Sequence, residues 1–293
     1  MTAPAFDVQA TIARLFVYPV KSCAGVEVPE VLLTETGLEF DRAWMVVDAD
    51  GVFVSQRELP RMALIRPQLK QLEMVLRAPG MLALHIAFDR VEHPVRVTIW
   101  GDDVAAYDMG DIAAQWFSDF LSEPGKPRKL RMVRFDPDHQ RQSDPAWTHG
   151  VEATTQFSDG FALLVTSEAS LAELNDRLIA AGHGAVGIER FRPNIVLAGI
   201  EAQDEDRVGT MHVATAEGGA RIAPAKPCPR CPMPDIDPAT ATSSTAVGDT
   251  LRSYRANPKI DGAVTFGMNC IVLDGVDHLL KVGQAVGAAY RFD

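Results

Sequence analysis

Residues 43–55, AWMVVDADGVFVS, indicate the fold class of this sequence. Two runs rich in β-branched and aromatic residues flank Asp50-Gly51, a pair that tolerates the positive φ angles of a tight turn. The pattern predicts a strand, a turn and a second strand. Similar pairing is predicted around residues 101–103, and an earlier strand at residues 12–20 (IARLFVYPV) ends at a Lys-Ser-Cys-Ala-Gly turn. Roughly the first 110 residues are therefore expected to be mainly β, built from short antiparallel pairs.

Two amphipathic helices are predicted in the rest of the chain. The first begins near Asp111 and ends before Pro124, with one apolar face made by Ile112, Trp116, Phe117, Phe120 and Leu121. The second covers residues 167–181 (SEASLAELNDRLIAA), with hydroxyl residues at its start and Leu171, Leu174 and Leu178 on one side. Strands are expected again in RPNIVLAGI, TMHVATA and the segment from IVLDG to AVGAAYRF. The sequence is thus predicted to be a β-rich α+β protein with a few packing helices.

Length and composition allow two modest domains or one large one in 293 residues. A shift towards polar residues at 136–150 (DPDHQRQSDPAWTHG) suggests a boundary, which gives predicted domains at 1–135 and 136–293. The formal net charge of −11 disfavours nucleic acid or an anionic membrane as a main partner, because such binding relies on lysine and arginine. Without a signal sequence or a long apolar segment, and with four cysteines that make no disulfide framework, a cytoplasmic location is expected.

The stretch at residues 226–237, KPCPRCPMPDID, carries a Cys-x-x-Cys pair within a longer segment, residues 224–247, that is rich in glycine, proline, serine and threonine. That composition predicts a loop on β scaffolding. Structural zinc would need four ligands, and Cys23 and Cys270 are single while no pair of histidines has finger spacing. Thioredoxin-like exchange would need a helix N-terminus that the four prolines disfavour. Two ordinary buried thiols remain an alternative.

A fourth interpretation is a soft metal bound by one thiolate. Arg230 directly precedes Cys231, so its charge can favour the thiolate, and the flanking prolines restrict the loop. A metal with a single protein ligand would arrive inside an anionic organic cofactor, which requires cationic and amide-rich contacts. The candidates for those contacts are Lys21, Ser22, Arg42, Asp159, Gly160, Arg190, Arg192 and Asn194. Taken singly, each of these residues has the ordinary alternative of a surface charge or a turn element.

The combination of motifs resembles the MOSC-domain family of molybdenum-cofactor proteins, in the two-part type whose N-terminal β-barrel-like domain precedes a MOSC β-barrel domain. The motifs that carry the resemblance, in order, are YPVKSCAG (18–25), GLEFDRAWMVVD (37–48), SQRELPRMALI (55–65), FSDGFALLVTSEASLAELN (157–175), RFRPNIV (190–196), KPCPRCPMPDIDPATA (226–241), LRSYR (251–255) and FGMN (266–269). They run through almost the whole chain, and they are similar to bacterial relatives of the amidoxime-reducing component.

The resemblance implies a site in which Cys231 is the catalytic residue and the molybdenum ligand. It implies cofactor contacts from Lys21, Ser22, Arg42, Asp159, Gly160, Arg190, Arg192, Asn194, Pro229, Arg230 and Asn269. Cys228 is expected to support the site rather than bind the metal. At Asn269 the eukaryotic reductases have an aromatic residue, so substrate contacts near that position are not carried over.

The same resemblance implies an oxidoreductase that uses the molybdenum cofactor to reduce N-hydroxylated bases, amidoximes and hydroxylamines. No ferredoxin-like segment with four close cysteines follows, so the electrons are expected from a separate ferredoxin-like protein or reductase. The alternatives are a molybdopterin-binding or sulfur-delivery protein without turnover and a scaffold that has lost its cofactor. Pyridoxal phosphate binding is a further expectation attached to the family.

Overall fold

The computed structural model describes residues 6–291 as a β-rich chain with four α-helices. The helices are α1 (Asp111–Leu121), α2 (Pro145–Thr148), α3 (Glu168–Ala180) and α4 (Ala246–Arg252). The strands are β1 (Val8–Val17), β2 (Val26–Val28), β3 (Glu30–Thr34), β4 (Gly37–Leu38), β5 (Trp44–Val47), β6 (Arg66–Leu69), β7 (Glu73–Arg77), β8 (Leu84–Ala87), β9 (Pro94–Ile99), β10 (Asp102–Asp108), β11 (Arg131–Phe135), β12 (Arg141–Gln142), β13 (Thr154–Thr155), β14 (Leu163–Ser167), β15 (Ile195–Ala198), β16 (Met211–Val213), β17 (Ala220–Pro229), β18 (Ala256–Asn257), β19 (Ala263–Asp274), β20 (Leu279–Lys281) and β21 (Ala285–Ala288).

A closed barrel forms the larger part of the molecule. Its strand order is β14–β15–β1–β21–β16–β17–β19, and β14 pairs back to β19 to complete the ring. The β14–β15 pair is parallel, and the other pairs of the ring are antiparallel. Alternate residues of β1 point into the barrel, where Val8, Ala10 and Ile12 join the apolar core. Closure leaves the seven strands of the ring without a free edge, which suits a β-rich chain of this size.

A second apolar core lies beneath the sheet β5–β11–β10–β9 and the antiparallel sheet β6–β7–β8. The predicted first helix is α1, and it covers this core with Trp116, Phe117 and Phe120. Ile112 was expected on the same face, but it is 78% exposed. Each residue of a helix is turned by about 100° from the one before it, so Ile112, eight positions before Phe120, points about 80° away from it. Its side chain therefore lies at the side of the apolar stripe and faces solvent.

The second predicted helix is α3, and it begins one residue later than the pattern suggested. The Ser167 hydroxyl caps it by accepting a hydrogen bond from the backbone N–H of Ser170, at 3.1 Å. Leu174 and Leu178 are buried against α4 and the outside of the barrel, whereas Leu171 is only partly buried. The later strands fall where they were predicted, as β15, β16, β19 and β21.

The prediction of a loop through residues 224–247 was wrong at both ends of that segment. Residues up to Pro229 belong to β17, which pairs with β19, and α4 begins at Ala246. The register of β17 against β19 shifts between Pro224 and Lys226 and again between Pro227 and Pro229. Proline can stand in a strand at such irregularities because no ladder N–H is required there. Cys228 therefore lies on a strand, and Cys231 follows its end.

The predicted division at residue 135 stays a prediction. In the structure, β1 pairs with β21 in the closed barrel and β3 pairs with β20, so both of these early strands bond to strands near the other end of the chain. Within residues 6–291, no helix is both long enough and apolar enough to cross a bilayer.

Candidate functional site

A cleft of about 480 Å³ lies at the junction of the two apolar cores. Its walls come from segments that end or begin strands: the turns after β1 and before β5, the segments before β14 and β15, the end of β17, and β19 itself. Eleven of the residues predicted for the site line this cleft, namely Lys21, Ser22, Arg42, Asp159, Gly160, Arg192, Asn194, Pro229, Arg230, Cys231 and Asn269. They are spread over about 250 residues of sequence, and the barrel closure brings them together.

The two cysteines of the cleft have different surroundings. Arg230 Nη1 donates to Cys228 Sγ at 2.9 Å, and its Nη2 donates to the carbonyl of Phe191 at 2.9 Å. Burial raises the pKa of the Cys228 thiol, although the neighbouring guanidinium of Arg230 acts in the opposite direction. Cys231 is half-buried, and its sulfur makes no hydrogen bond to any of residues 6–291. The expected contact of Arg230 with the Cys231 thiolate is thus replaced by a contact with Cys228.

Lys21 is buried at the base of the cleft and ties two loops together. Its Nζ donates to the carbonyl of Phe157 at 2.9 Å and to Asp159 Oδ1 at 2.5 Å. Burial lowers the pKa of Lys21, while Asp159 opposes that effect. Desolvation would raise the pKa of Asp159, but the ammonium of Lys21 and a hydrogen bond from Trp100 outweigh it, so that pKa lies well below its usual range. This carboxylate is therefore ionised throughout the neutral range.

Two arginines stack on a buried tyrosine at the opposite wall. The guanidinium carbons of Arg42 and Arg192 lie 4.4 and 4.3 Å from the centre of the Tyr18 ring. Arg42 donates from Nη1 to Asn194 Oδ1 at 3.1 Å and from Nη2 to the carbonyl of Arg192 at 3.1 Å. Arg192 donates to the carbonyl of Cys23 at 2.6 Å. Burial, and next the charge of Arg42, lower the pKa of Arg192 to about 10.

The backbone of the cleft is unusual at the same places. Ser22, Arg42 and Arg192 all have positive φ angles, between 51° and 67°. Such angles are uncommon for residues other than glycine and persist only where the surrounding structure holds them. Asn194 provides part of that restraint, because its buried amide accepts from the backbone N–H of Leu164 and donates to the carbonyl of Phe16. The result is a set of cationic side chains aimed at one space.

The charge balance of the cleft is opposite to that of the whole chain. Six cationic residues line it, against the two carboxylates of Asp144 and Asp159. Among these six, and counting partners within residues 6–291, only Lys21 and Arg42 form ion pairs, with Asp159 and Asp41. The other four cations are Arg57, Arg192, Lys226 and Arg230. They make no ion pair with a carboxylate of the described residues, and they contact carbonyls, a sulfur or aromatic rings instead.

Buried donors in the cleft strengthen this imbalance. Arg192 Nη2 and Arg230 Nε are both buried, and neither has a hydrogen-bond partner in the part of the chain that the structure describes. A buried guanidinium with an unmet donor is costly, and an anionic oxygen would satisfy it. The donor set therefore fits an anionic ligand with phosphate-like oxygens, placed beside an accessible thiol.

One predicted residue lies outside the cleft. Arg190 donates to the carbonyl of Pro234 at 3.1 Å and to Asp237 Oδ2 at 3.0 Å, and it lines a separate cavity of about 470 Å³. Arg192, two positions later, has a left-handed backbone and lines both the cleft and this second cavity. The sequence could not distinguish the two arginines, because both stand in the same short motif.

The structure also bears on the alternatives for the cysteine pair. All four cysteines are free thiols, and Cys23 and Cys270 are buried away from solvent. Cys228 stands at the end of a strand, not at a helix N-terminus, so the electrostatic basis of thioredoxin-like exchange is missing. Within the described ranges, no three His, Cys, Asp or Glu side chains are grouped as a metal site.

Sequence reasoning missed several cleft residues, among them Phe53, Arg57, Trp100 and Lys226. Arg57 and Lys226 belong to two of the motifs that carry the family resemblance, but no feature of the neighbouring sequence marks either residue as part of a cleft. Trp100 did carry a signal. It directly precedes Gly101 in a predicted hairpin turn, where a large aromatic residue is unexpected.

Comparisons with known proteins agree with this architecture. The family model described as "MOSC N-terminal beta barrel domain" matches residues 9–124, and the one described as "MOSC domain" matches residues 152–287. The chain is 34% identical to mitochondrial amidoxime reducing component 2 of Bos taurus over 256 residues, which cover 84% of this chain and 72% of that protein. The human protein of the same name gives the same identity and coverage.

A second kind of relative is the molybdenum cofactor sulfurase of Bos taurus, which is 30% identical over 263 residues. The match covers 83% of this chain but only 29% of the sulfurase, so the likeness concerns one part of a longer protein. The two family models and the relatives together span most of the described structure. The chain therefore belongs to the MOSC family, in the form with a MOSC N-terminal β-barrel domain followed by a MOSC domain.

Proposed function

We propose that this protein is a molybdenum-cofactor-dependent reductase of N-hydroxylated compounds, such as N-hydroxylated bases, amidoximes and hydroxylamines. The observation that carries the proposal is the convergence of four cations without carboxylate partners around the accessible thiol of Cys231. Relatives named as amidoxime reducing components, matched over most of both chains, support the reaction class.

The cofactor residues follow from the donors of the cleft. Cys231 would bind the molybdenum, and the phosphate of the pterin would be held by the cations and turn amides of Lys21, Ser22, Arg42, Arg192 and Arg230. When bound, the cofactor supplies the two-electron removal of oxygen from the substrate. Arg190 is proposed instead to fix the segment after Cys231, because it bonds Pro234 and Asp237.

Other cleft residues would position these groups. Asn194 holds Arg42 and the ends of β1 and β14 in one arrangement, so the guanidinium is preorganised for an anion. Asp159 keeps the Lys21 ammonium in place without closing the cleft. Gly160, Pro229 and Asn269 would complete the walls around the cofactor. The net reaction R–NHOH + 2 e⁻ + 2 H⁺ → R–NH₂ + H₂O requires a separate electron donor, a ferredoxin-like protein or a reductase.

The thiol assignment is tested with two matched variants. Cys231→Ser and Cys228→Ser change one sulfur each, three positions apart in the same cleft. With a chemical reductant as donor, we expect Cys231→Ser to lose reduction of hydroxylamine and benzamidoxime and to fall in molybdenum content. Cys228→Ser should retain both to a large degree. If Cys231→Ser keeps full activity, or if Cys228→Ser alone abolishes it, the assignment of the metal ligand is wrong.

A second candidate function is binding or sulfur delivery of the cofactor without turnover. The likeness to molybdenum cofactor sulfurases favours it, because the same cationic cleft would serve a carrier. A carrier would contain pterin and molybdenum yet show no reduction of any N-hydroxylated compound. Pyridoxal phosphate binding and the cytoplasmic location stay predictions; the visible absorbance of the purified protein and the localisation of a tagged chain would test them.

A further inference from the structure

Trp100 occupies a strained position at the mouth of the cleft. In the hairpin of β9 and β10, Ile99 pairs with Asp102, so Trp100 and Gly101 form a two-residue turn. Both have positive φ, 54° for Trp100 and 92° for Gly101. Turns of this kind favour Asn, Asp or Gly at the first position, and a bulky residue there is an outlier. Because Asn or Asp would form the turn more easily, the tryptophan needs another explanation.

The indole is held in place but remains accessible. Its Nε1–H donates to Asp159 Oδ1 at 3.1 Å, and its ring lies 5.0 Å from Phe53 at a tilt of 53°. Nevertheless 48% of Trp100 is exposed, and the residue lines the cleft. Core packing therefore does not account for it. A fixed indole with open surface, beside a ligand cleft, is suited to stacking on a flat ring.

Arg57 lies over one face of the Trp100 indole and continues the stack. Its guanidinium carbon lies 4.6 Å from the centre of the Trp100 ring, and Arg57 has no ion pair with any carboxylate of residues 6–291. A guanidinium is planar, and it stacks on aromatic groups as well as attracting electron-rich ones. Trp100, with the planar guanidinium of Arg57 stacked on it, thus offers a cationic and aromatic surface, here called the Trp100–Arg57 face, at the entrance to the space beside Cys231.

We infer that this Trp100–Arg57 face binds a planar heteroaromatic ring, and that it selects N-hydroxylated bases and aromatic amidoximes over small aliphatic substrates. The inference rests on the proposed function, and it names the substrate class of the same site. A flat ring held at the mouth would leave its N-hydroxyl group directed into the cleft. A small molecule such as hydroxylamine cannot stack and would depend on the inner cleft alone.

The test compares kcat/KM for N-hydroxyadenine, benzamidoxime and hydroxylamine in the holoenzyme. Trp100→Leu removes the ring, whereas Trp100→Phe keeps a ring and removes only the hydrogen bond to Asp159. Ile112→Ala, on α1 and outside the cleft, is the control for loss of an exposed apolar side chain. We expect Trp100→Leu to lower kcat/KM roughly tenfold for the flat substrates, a typical loss for one stacked base, and less than twofold for hydroxylamine.

Trp100→Phe should recover most of the tenfold loss if stacking is the cause. A flat ring could also belong to a nucleotide attached to the cofactor, so molybdenum and pterin are measured in every variant. If Trp100→Leu loses cofactor and all three substrates fall together, the face serves the cofactor and the inference is overturned. An unchanged ratio between flat and aliphatic substrates overturns it as well.

Binding without turnover separates this inference from the proposed function. Should the wild-type protein reduce none of the substrates, the function is wrong, but binding of adenine and benzamide can still be measured by isothermal titration calorimetry. Roughly tenfold weaker binding of both to Trp100→Leu than to wild type and Ile112→Ala would then support the stacking face. Equal binding would refute it.

Discussion

Replacing Arg192 by methionine should weaken anion binding with little effect on the stability of the fold. Burial, together with the charge of Arg42, lowers the pKa of Arg192 from its ordinary value to about 10. At neutral pH the arginine is charged in both the folded and the unfolded chain. The lowered pKa therefore represents a folding cost of about 3 kcal/mol, which a neutral side chain of similar length would not carry.

Arg192→Met also removes favourable contacts. The hydrogen bond to the carbonyl of Cys23 contributes about 2 kcal/mol, as charged donors typically do. Stacking on Tyr18 contributes about 1 kcal/mol. The lost hydrogen bond and stacking nearly cancel the removed cost of burying the charge. We therefore expect the free energy of unfolding of the cofactor-free protein to change by less than about 1 kcal/mol. An ordinary core arginine with a carboxylate partner would behave differently.

Anion binding should respond strongly to the same change. Pyrophosphate is the probe, added to protein made in a host that lacks the cofactor. It should raise the Tm of the wild type, because ligands that bind the folded state stabilise it. In Arg192→Met the affinity should fall at least roughly tenfold, the loss of one charge-assisted hydrogen bond.

Arg190→Met is the matched control. It leaves Asp237 without its ion pair, so it should destabilise the protein by about 1 to 2 kcal/mol in urea titrations. Its pyrophosphate response should equal that of the wild type, since Arg190 lies outside the cleft. The reasoning is refuted if Arg192→Met unfolds about 3 kcal/mol more easily and still gains the wild-type stabilisation from pyrophosphate.

Three further changes test the architecture of the cleft. Asn194→Leu leaves the N–H of Leu164 and the carbonyl of Phe16 without their side-chain partner, so the free energy of unfolding measured in urea should fall by about 3 kcal/mol. A fall of less than about 1 kcal/mol would contradict the role of Asn194 as a restraint. The ionised Asp159 stabilises the fold above about pH 4, and this stabilisation is lost as the pH falls through its depressed pKa. The Tm difference between Asp159→Asn and the wild type should therefore be constant between pH 5 and 8 and should shrink below about pH 4. A difference that grows in acid would contradict the stabilising role of the Lys21–Asp159 pair. Gly267 and Gly262 have the same φ of 76°, but a Cβ added at Gly267 would lie 2.7 Å from a carbonyl oxygen of β14, whereas one added at Gly262 would meet no atom within 4 Å. Gly267→Ala should therefore lower the Tm more than Gly262→Ala does. Equal losses of Tm would show that only backbone strain matters.

Local pattern was sufficient for much of the secondary structure. The turn at Asp50-Gly51, the apolar stripe of α1 and the Ser167 cap of α3 each follow from a few neighbouring residues, and each appears in the structure. Prediction failed where non-local pairing prevailed over composition. The prolines of residues 224–229 suggested a loop, but β19 offers that segment a partner and the register irregularities accommodate the missing N–H groups.

For the candidate site, the sequence determined which residue types were present, and the resemblance to a family assigned twelve of them to one site. Tertiary structure decided how they are used. The folded chain brought Arg192 but not Arg190 to the cleft, directed Arg230 to Cys228, and set Trp100 and Arg57 at the cleft mouth. These outcomes depend on backbone angles and on partners far away in sequence, which no local pattern encodes. The sequence by itself specified strands, helices and a cysteine pair, whereas only the packing of the closed barrel against the neighbouring sheet gathered uncompensated cations around one thiol of an acidic chain.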